Sequence, residues 1–286
     1  MLPKPGSIGA WILAIRPKTL PAAVAPVIVG LAIAHRMGSL DWVPALFCLV
    51  GALLLQIASN LANDVFDYEH GKDTEQRLGP LRAVQSGLLT GKDARRGLGI
   101  IFVACLAVGS YLVAHAGWPL LVIGVSSMIA AVAYTAGPYP IGYHGLGDVF
   151  VFLFFGPVAV MGTEFAIAGT VTSEALWASL PMGALTTNIL VVNNLRDCAE
   201  DKQTGKRTLA VRFGERFALI QAATLVSLAY LSPAYFLVRV GSPWPAVLPL
   251  LSCPLAITWF IRLRRIRGRA MNALLARAAQ ILLAFA

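Results

Sequence analysis

Charge is scarce in this chain. Only 13% of its 286 residues are Asp, Glu, Lys or Arg, about half the ~25% of an ordinary soluble domain. That excludes a water-exposed globular surface of usual composition. Cysteine is sparse as well. Cys48, Cys105, Cys198 and Cys253 form no CxxC pair, which excludes a zinc site or a disulfide framework as the organising element. No repeat or low-complexity tract divides the chain, so a single domain over 1–286 is expected. The opening "MLPKPGSIGAWILAIRPKTL" has no small-residue cleavage site behind a compact apolar core, and no cleavable signal peptide is expected.

What is abundant is apolar sequence. Hydrophobic residues make up 57% of the chain, and the mean hydropathy is +0.72. The fold class is therefore an all-α, polytopic transmembrane bundle. Eight runs are long enough to span a bilayer, near 19–37, 42–63, 97–115, 118–136, 147–169, 176–195, 216–238 and 244–261. The tail, 270–286, has 17 residues and reaches about 25 Å as a helix, a short or incomplete ninth span.

The net charge of +9 suggests nucleic acid until the cations are placed. With eight alternating spans, 20 of the 23 basic residues fall on one side. Only Arg36 and Arg239 fall on the other, and Arg277 lies in the tail. The positive-inside rule then puts the N-terminus and the loops at 64–96 and 196–215 in the cytoplasm. Trp42, Trp118, Trp177 and Trp244 each open an even-numbered span, as an aromatic belt at the outer interface requires. The partner is a lipid bilayer, with no role for nucleic acid; the location expected is a bacterial inner membrane.

Eight of the 14 acidic residues gather in two clusters, each at the cytoplasmic end of an apolar run. The first, "NDVFDYEHGKD", holds Asp64, Asp67, Glu69 and Asp73, with Glu75 just beyond; the second, "NNLRDCAEDKQTGKRTLAVRFG", holds Asp197, Glu200 and Asp201. Asn193, Asp197 and Asp201 recur every four residues, one stripe of a helix. Asn60, Asn63, Asp64 and Asp67 share another face, and Gly71 breaks that helix before Asp73. Facing carboxylate stripes repel unless cations lie between them. Hard oxygen ligands suit Mg²⁺ bound by one or two carboxylates plus substrate phosphates. Lys72, Arg77, Arg82, Lys206 and Arg207 stand by to hold the outer oxygens of a lipid diphosphate.

These paired motifs resemble the UbiA superfamily of intramembrane prenyltransferases. "RPKTLPAAVAPVIVG", "GPLRAVQSG", "YTAGPYPIGYHGLGDVFVFLFFG" and the second acidic cluster are similar to the 1,4-dihydroxy-2-naphthoate polyprenyltransferases of menaquinone synthesis, over residues 16–214. The resemblance implies a nine-helix bundle around a central cavity and Mg²⁺-dependent transfer from a polyprenyl diphosphate to 1,4-dihydroxy-2-naphthoate, with loss of diphosphate and CO₂. It implies catalytic roles for Asp64, Asp67, Asp73, Asp197 and Asp201, with Asp64, Asp67, Asp197 and Asp201 as metal ligands. Substrate binding would fall to Asn63, Lys72, Arg82, Gln85, Tyr134, Tyr143, Asn193, Asn194, Arg196, Lys206 and Arg207. Asp73 stands two residues beyond the position where many members carry the third aspartate, and Glu164 replaces an uncharged residue.

Other readings are weaker. Phe150, Phe152, Phe154 and Phe155 either wall a water-free cavity or face lipid. Tyr134, Tyr139, Tyr143 and His144 either orient the acceptor or anchor the interface. Asp148 suits a helix N-terminus. Glu164, about 24 Å further along its span, is expected at the outer surface. Gln56, Asn60 and Asn188 are expected to bond between helices. Two alternatives stay open: a polyprenyltransferase for another ring such as 4-hydroxybenzoate, and a secondary transporter of an anionic or phosphorylated solute.

Overall fold

In the computed structural model, which describes residues 2–74, 77–241 and 243–286, helices and turns carry the chain and no strand occurs among those residues. Glu75 lies outside the described residues. In order the helices are α1 (Ile8–Ile15), α2 (Pro21–Arg36), α3 (Trp42–Glu69), α4 (Gly91–Ala116), α5 (Pro119–Ala133), α6 (Gly147–Leu153), α7 (Ala159–Ala168), α8 (Ser173–Gln203), α9 (Leu209–Leu231), α10 (Ala234–Arg239), α11 (Trp244–Val247), α12 (Cys253–Leu263) and α13 (Met271–Phe285). Side-chain caps mark several starts: Asp41 accepts from Val43 N, Thr90 from Asp93 N, Thr172 from Ala175 N and Thr208 from Val211 N.

Six helical stretches are long and apolar enough to cross a membrane: 42–69, 91–116, 147–168, 173–203, 209–239 and 244–263. A seventh is a pair bent by 50°, Ile8–Thr19 with Pro21–Arg36. Eight full spans were expected. The difference lies at 118–136, where α5 has 15 residues, and at the first span, which is broken. The tail forms α13, also 15 residues. The expected loops at 64–96 and 196–215 are partly helix. α3 runs to Glu69 and α8 to Gln203, because their acidic stripes continue the helical period. Cys198 accordingly lies inside α8 rather than in a loop.

α8 is the most buried span. It packs against α9 on one side and α6, with the following π turn, on the other. That turn, Phe154–Val158, contains Pro157, whose missing N–H interrupts the regular ladder. The approach is close. A Cβ on Gly183 would stand 2.6 Å from the Phe152 carbonyl oxygen, so only glycine allows the contact. The four expected belt tryptophans are all exposed. Gln56, Asn60 and Asn188 bond between elements as expected: Gln56 and Asn60 reach Thr19, and Asn188 donates to Ala222 O. Glu164 does not reach the surface. It is fully buried, and its carboxylate accepts from Thr172 N and Oγ1, fastening the start of α8. Asp148 sits in the first turn of α6 and accepts from Gln221 Nε2.

Candidate active site

A cavity of about 550 Å³ opens at the end of the bundle where the two acidic stripes meet. On α3 its wall is Asp67, Asn63, Asn60, Gln56, Ala52 and Cys48, one face of the helix over about 28 Å. On α8 the wall is Asp201, Asp197, Asn194, Leu190 and Thr186. The mouth is polar. Deeper, Val108, Leu112, Leu120, Ile123, Phe150, Phe154 and Phe155 make it apolar. Phe152 packs on the α8 side instead.

Asp67 is the hub of the mouth. Its Oδ1 accepts from Tyr143 Oη at 2.6 Å and from Lys206 Nζ at 3.1 Å, and its Oδ2 from Arg82 Nη2 at 3.2 Å. Gly71, at φ +65°, turns the chain sharply after α3, and Lys72 N then closes on Asp67 O at 2.7 Å. The turn returns Lys72 to the mouth and leaves Asp73 just behind it. Lys72 Nζ bonds Thr204 O at the end of α8. Lys72 and Lys206 stand 5.6 and 5.0 Å from the centroid of the Tyr143 ring, within cation–π range. Burial and the neighbouring Asp67 push the Tyr143 hydroxyl far up from its usual range, so it stays a neutral donor.

Asp64 and Asp73 are set back from the cavity wall. Asp64, 1% exposed, accepts Ala83 N at 3.0 Å and so holds the 79–89 segment. Asp73 pairs with Arg77 and with Arg82 Nε at 3.4 Å. Burial pushes its carboxyl up to about 7 against the pull of Arg77, and Asp67 adds to the push. Glu200 accepts from Thr74 Oγ1 at 2.7 Å, tying this loop to α8. Asp197 is gripped by its neighbour: Arg196 Nε and Nη2 donate to its two oxygens at 2.7 and 2.6 Å.

Of the residues expected to form the site, Asn63, Asp67, Lys72, Arg82, Tyr134, Tyr143, Asn193, Asn194, Arg196, Asp197, Asp201 and Lys206 line this cavity. Gln85 and Arg207 do not. Gln85 Nε2 reaches Thr74 O at 3.5 Å outside it, and the Arg207 side chain is exposed. Arg207 bonds the region only through its backbone, N–H to Tyr143 O at 2.7 Å. Arg196 is occupied with Asp197 and two asparagines, so it is poorly placed to take substrate. Arg16, Lys18, Thr19 and Asn272 also line the cavity. Arg16 and Lys18 carried only topogenic weight in the sequence. Arg16 is nevertheless the one non-glycine residue at positive φ, +56°, among those described. A break at "RPKT", Arg followed by Pro, was the available signal.

The mouth suits an anion with a divalent cation. Among the described residues no three His, Cys, Asp or Glu side chains form a ready-made metal cage. Yet Arg16 Nη2, Arg77 Nε and Arg82 Nη1 on the wall have no hydrogen-bond partner, and neither do Asp64 Oδ1 and Asp73 Oδ2 just behind it. Hard oxygens beside unpaired guanidinium donors fit a cation that completes its shell on a phosphate.

A helical bundle with a carboxylate-rimmed, apolar-floored cavity defines an integral membrane protein that handles a charged lipid head. The chain belongs to the UbiA prenyltransferase family, which it matches over residues 23–283. It is 42% identical over 255 residues to the 1,4-dihydroxy-2-naphthoate octaprenyltransferase of Escherichia coli, covering 87% of this chain and 82% of that one. To the enzyme of the same name from Mycobacterium tuberculosis it is 37% identical, covering 88% and 85%. UbiA prenyltransferase domain-containing protein 1 of Homo sapiens is 32% identical, covering 95% and 79%. A UbiA homolog from Archaeoglobus fulgidus bound to GPP and Mg²⁺ has the same fold, with TM-score 0.70 at 14% identity over 96% of this chain and 97% of that one. Family membership sets aside the transporter alternative.

Proposed function

We propose that the protein transfers a polyprenyl group from its allylic diphosphate to 1,4-dihydroxy-2-naphthoate, releasing diphosphate and CO₂. The observation that carries this reading is one continuous cavity: a mouth of opposed carboxylates and unpaired guanidinium donors joined to a long apolar shaft. The mouth fits a diphosphate and the shaft fits an isoprenoid chain. The choice of acceptor follows the naphthoate-prenylating relatives.

Asp67, Asp197 and Asp201 would hold Mg²⁺, with Asp64 and Asp73 behind them. Bound there, the ion would supply Lewis-acid neutralisation of the charge on the departing diphosphate. Lys72, Arg82, Lys206, Arg77 and Arg16 surround the same oxygens and stabilise that charge by direct hydrogen bonds. The allylic C–O bond breaks with its electron pair going to the diphosphate. The ring carbon bearing the carboxylate bonds the prenyl carbon, and the carboxylate leaves as CO₂, its bond pair restoring the aromatic ring. No net proton is gained or lost, so the carbon needs no base. This agrees with a Tyr143 hydroxyl that donates to Asp67. Phe150, Phe154 and Phe155 keep water from the cationic prenyl carbon. The 1–286 chain acts as one domain in a bacterial inner membrane, with the mouth in the cytoplasm. Purified protein offered naphthoate and 4-hydroxybenzoate together should prenylate the naphthoate; selective use of the benzoate would overturn the acceptor assignment.

A further inference from the structure

Asn272 lies on α13, about 70 residues beyond the second carboxylate cluster. Its side chain still reaches the cavity wall. Oδ1 accepts from Arg196 Nη1 at 2.7 Å, and Nδ2 donates to Leu78 O at 3.0 Å. Arg196, 3% exposed, also donates to both oxygens of Asp197 and to Asn193 Oδ1 at 2.7 Å.

The Arg196–Asp197 fork is unusual for its spacing. Adjacent residues on a helix point about 100° apart and do not face one another. Arg196 bends back to grip Asp197; Asn193 on α8 takes its Nη2, and two groups outside α8 hold it as well. Asn272 takes its free Nη1, and the backbone of Gly79 lies against its face. A Cβ on Gly79 would stand 2.7 Å from Arg196 Nη2 and 3.1 Å from Cζ.

We infer that Asn272 is a positioning residue: it fixes Arg196, Arg196 fixes Asp197 at the cavity wall, and the C-terminal helix thereby sets the geometry of the second carboxylate cluster. This rests on the proposed role of Asp197 at the diphosphate end, not on the acceptor. Asn272→Asp keeps an oxygen for Arg196 and loses the donor to Leu78. Asn272→Leu loses both. Gly79→Ala crowds Arg196, and Arg77 Nε at 3.1 Å, while leaving the Asn272 side chain and its bond to Leu78 O as they are.

The test is titration calorimetry of farnesyl diphosphate in Mg²⁺ with detergent-purified full-length protein and no acceptor, each variant's folded fraction measured by its thermal melt. Asn272→Leu and Gly79→Ala should each raise the Kd per folded molecule by about tenfold, and Asn272→Asp should stay near the wild-type value. Should Asn272→Leu melt earlier yet bind like wild type, Asn272 is merely structural and the inference is wrong. Equal weakening by Asn272→Asp and Asn272→Leu would also overturn it, since the Arg196 contact would then not matter. Wild-type protein that binds no prenyl diphosphate would overturn this inference together with the proposed function. Use of a different acceptor would overturn only the acceptor assignment.

Discussion

Tyr143 donates its hydroxyl to Asp67 at 2.6 Å, across 76 residues of sequence. The contact joins the turn after α5 to the end of α3. It also decides what Tyr143 does, for a neutral phenol that keeps its proton and donates a hydrogen bond to a buried carboxylate is not a base. Tyr143→Phe should lower kcat/KM about 10- to 150-fold, the worth of one hydrogen bond to a charged group. The pH–rate profile should keep both limbs. Loss of a limb would show that Tyr143 carries the titrating proton.

Asp67 and Asp64 are three residues apart yet differently placed, and their variants should fail differently. Asp67→Asn should abolish turnover and also lower the melting temperature, because Lys206 and Arg82 lose their buried charge partner. Asp64→Ala leaves the Ala83 N–H without its buried acceptor and should cost about 1–3 kcal/mol of stability, read as an earlier melt in detergent. An unchanged melt in Asp64→Ala would contradict the bond that ties Asp64 to Ala83 N.

The carboxylate clusters were legible in the sequence because helical period and charge scarcity both single them out. So were the apolar spans and the tryptophans that open them. What the sequence concealed was the division of labour within each cluster. Asp64 and Asp67 lie on one helical face in any helical reading, but only the return of the 79–89 segment fixes which of them meets the cavity. Arg196 reads as a substrate cation until its guanidinium is seen turned onto Asp197. Glu164 reads as a surface residue because nothing in an apolar run announces that the loop at Thr172 folds back over it. Asn272 has no local signal at all; its partners are 76 and 194 residues away.

Arg207 is exposed and serves the site by its backbone alone. Arg207→Gln should change kcat/KM less than about twofold, within the range of a surface substitution. Its exposure also offers an orientation test. In a protein whose native cysteines are replaced, Arg207→Cys should react with a membrane-impermeant thiol reagent in inside-out vesicles and not in intact cells. The opposite pattern would invert the membrane orientation.

Glu164→Leu removes the carboxylate that Thr172 N and Oγ1 bond. The N–H at the start of α8 is left buried and unpaired, which should cost about 1–3 kcal/mol in thermal stability. The KM for either substrate should not change, because Glu164 does not line the cavity.

The proposed divalent cation would offset the repulsion between the carboxylates of the mouth and the proposed diphosphate. Chelator should abolish turnover and Mg²⁺ should restore it. Full turnover in chelator would remove the metal from the account.

The most direct measurement uses naphthoate labelled in its carboxyl carbon, incubated with purified protein, Mg²⁺ and a polyprenyl diphosphate. Labelled CO₂ should appear one for one with the prenylated product, and both should vanish in Asp67→Asn. Prenylated product that keeps the label, or no product from the naphthoate at all, would contradict the proposed reaction.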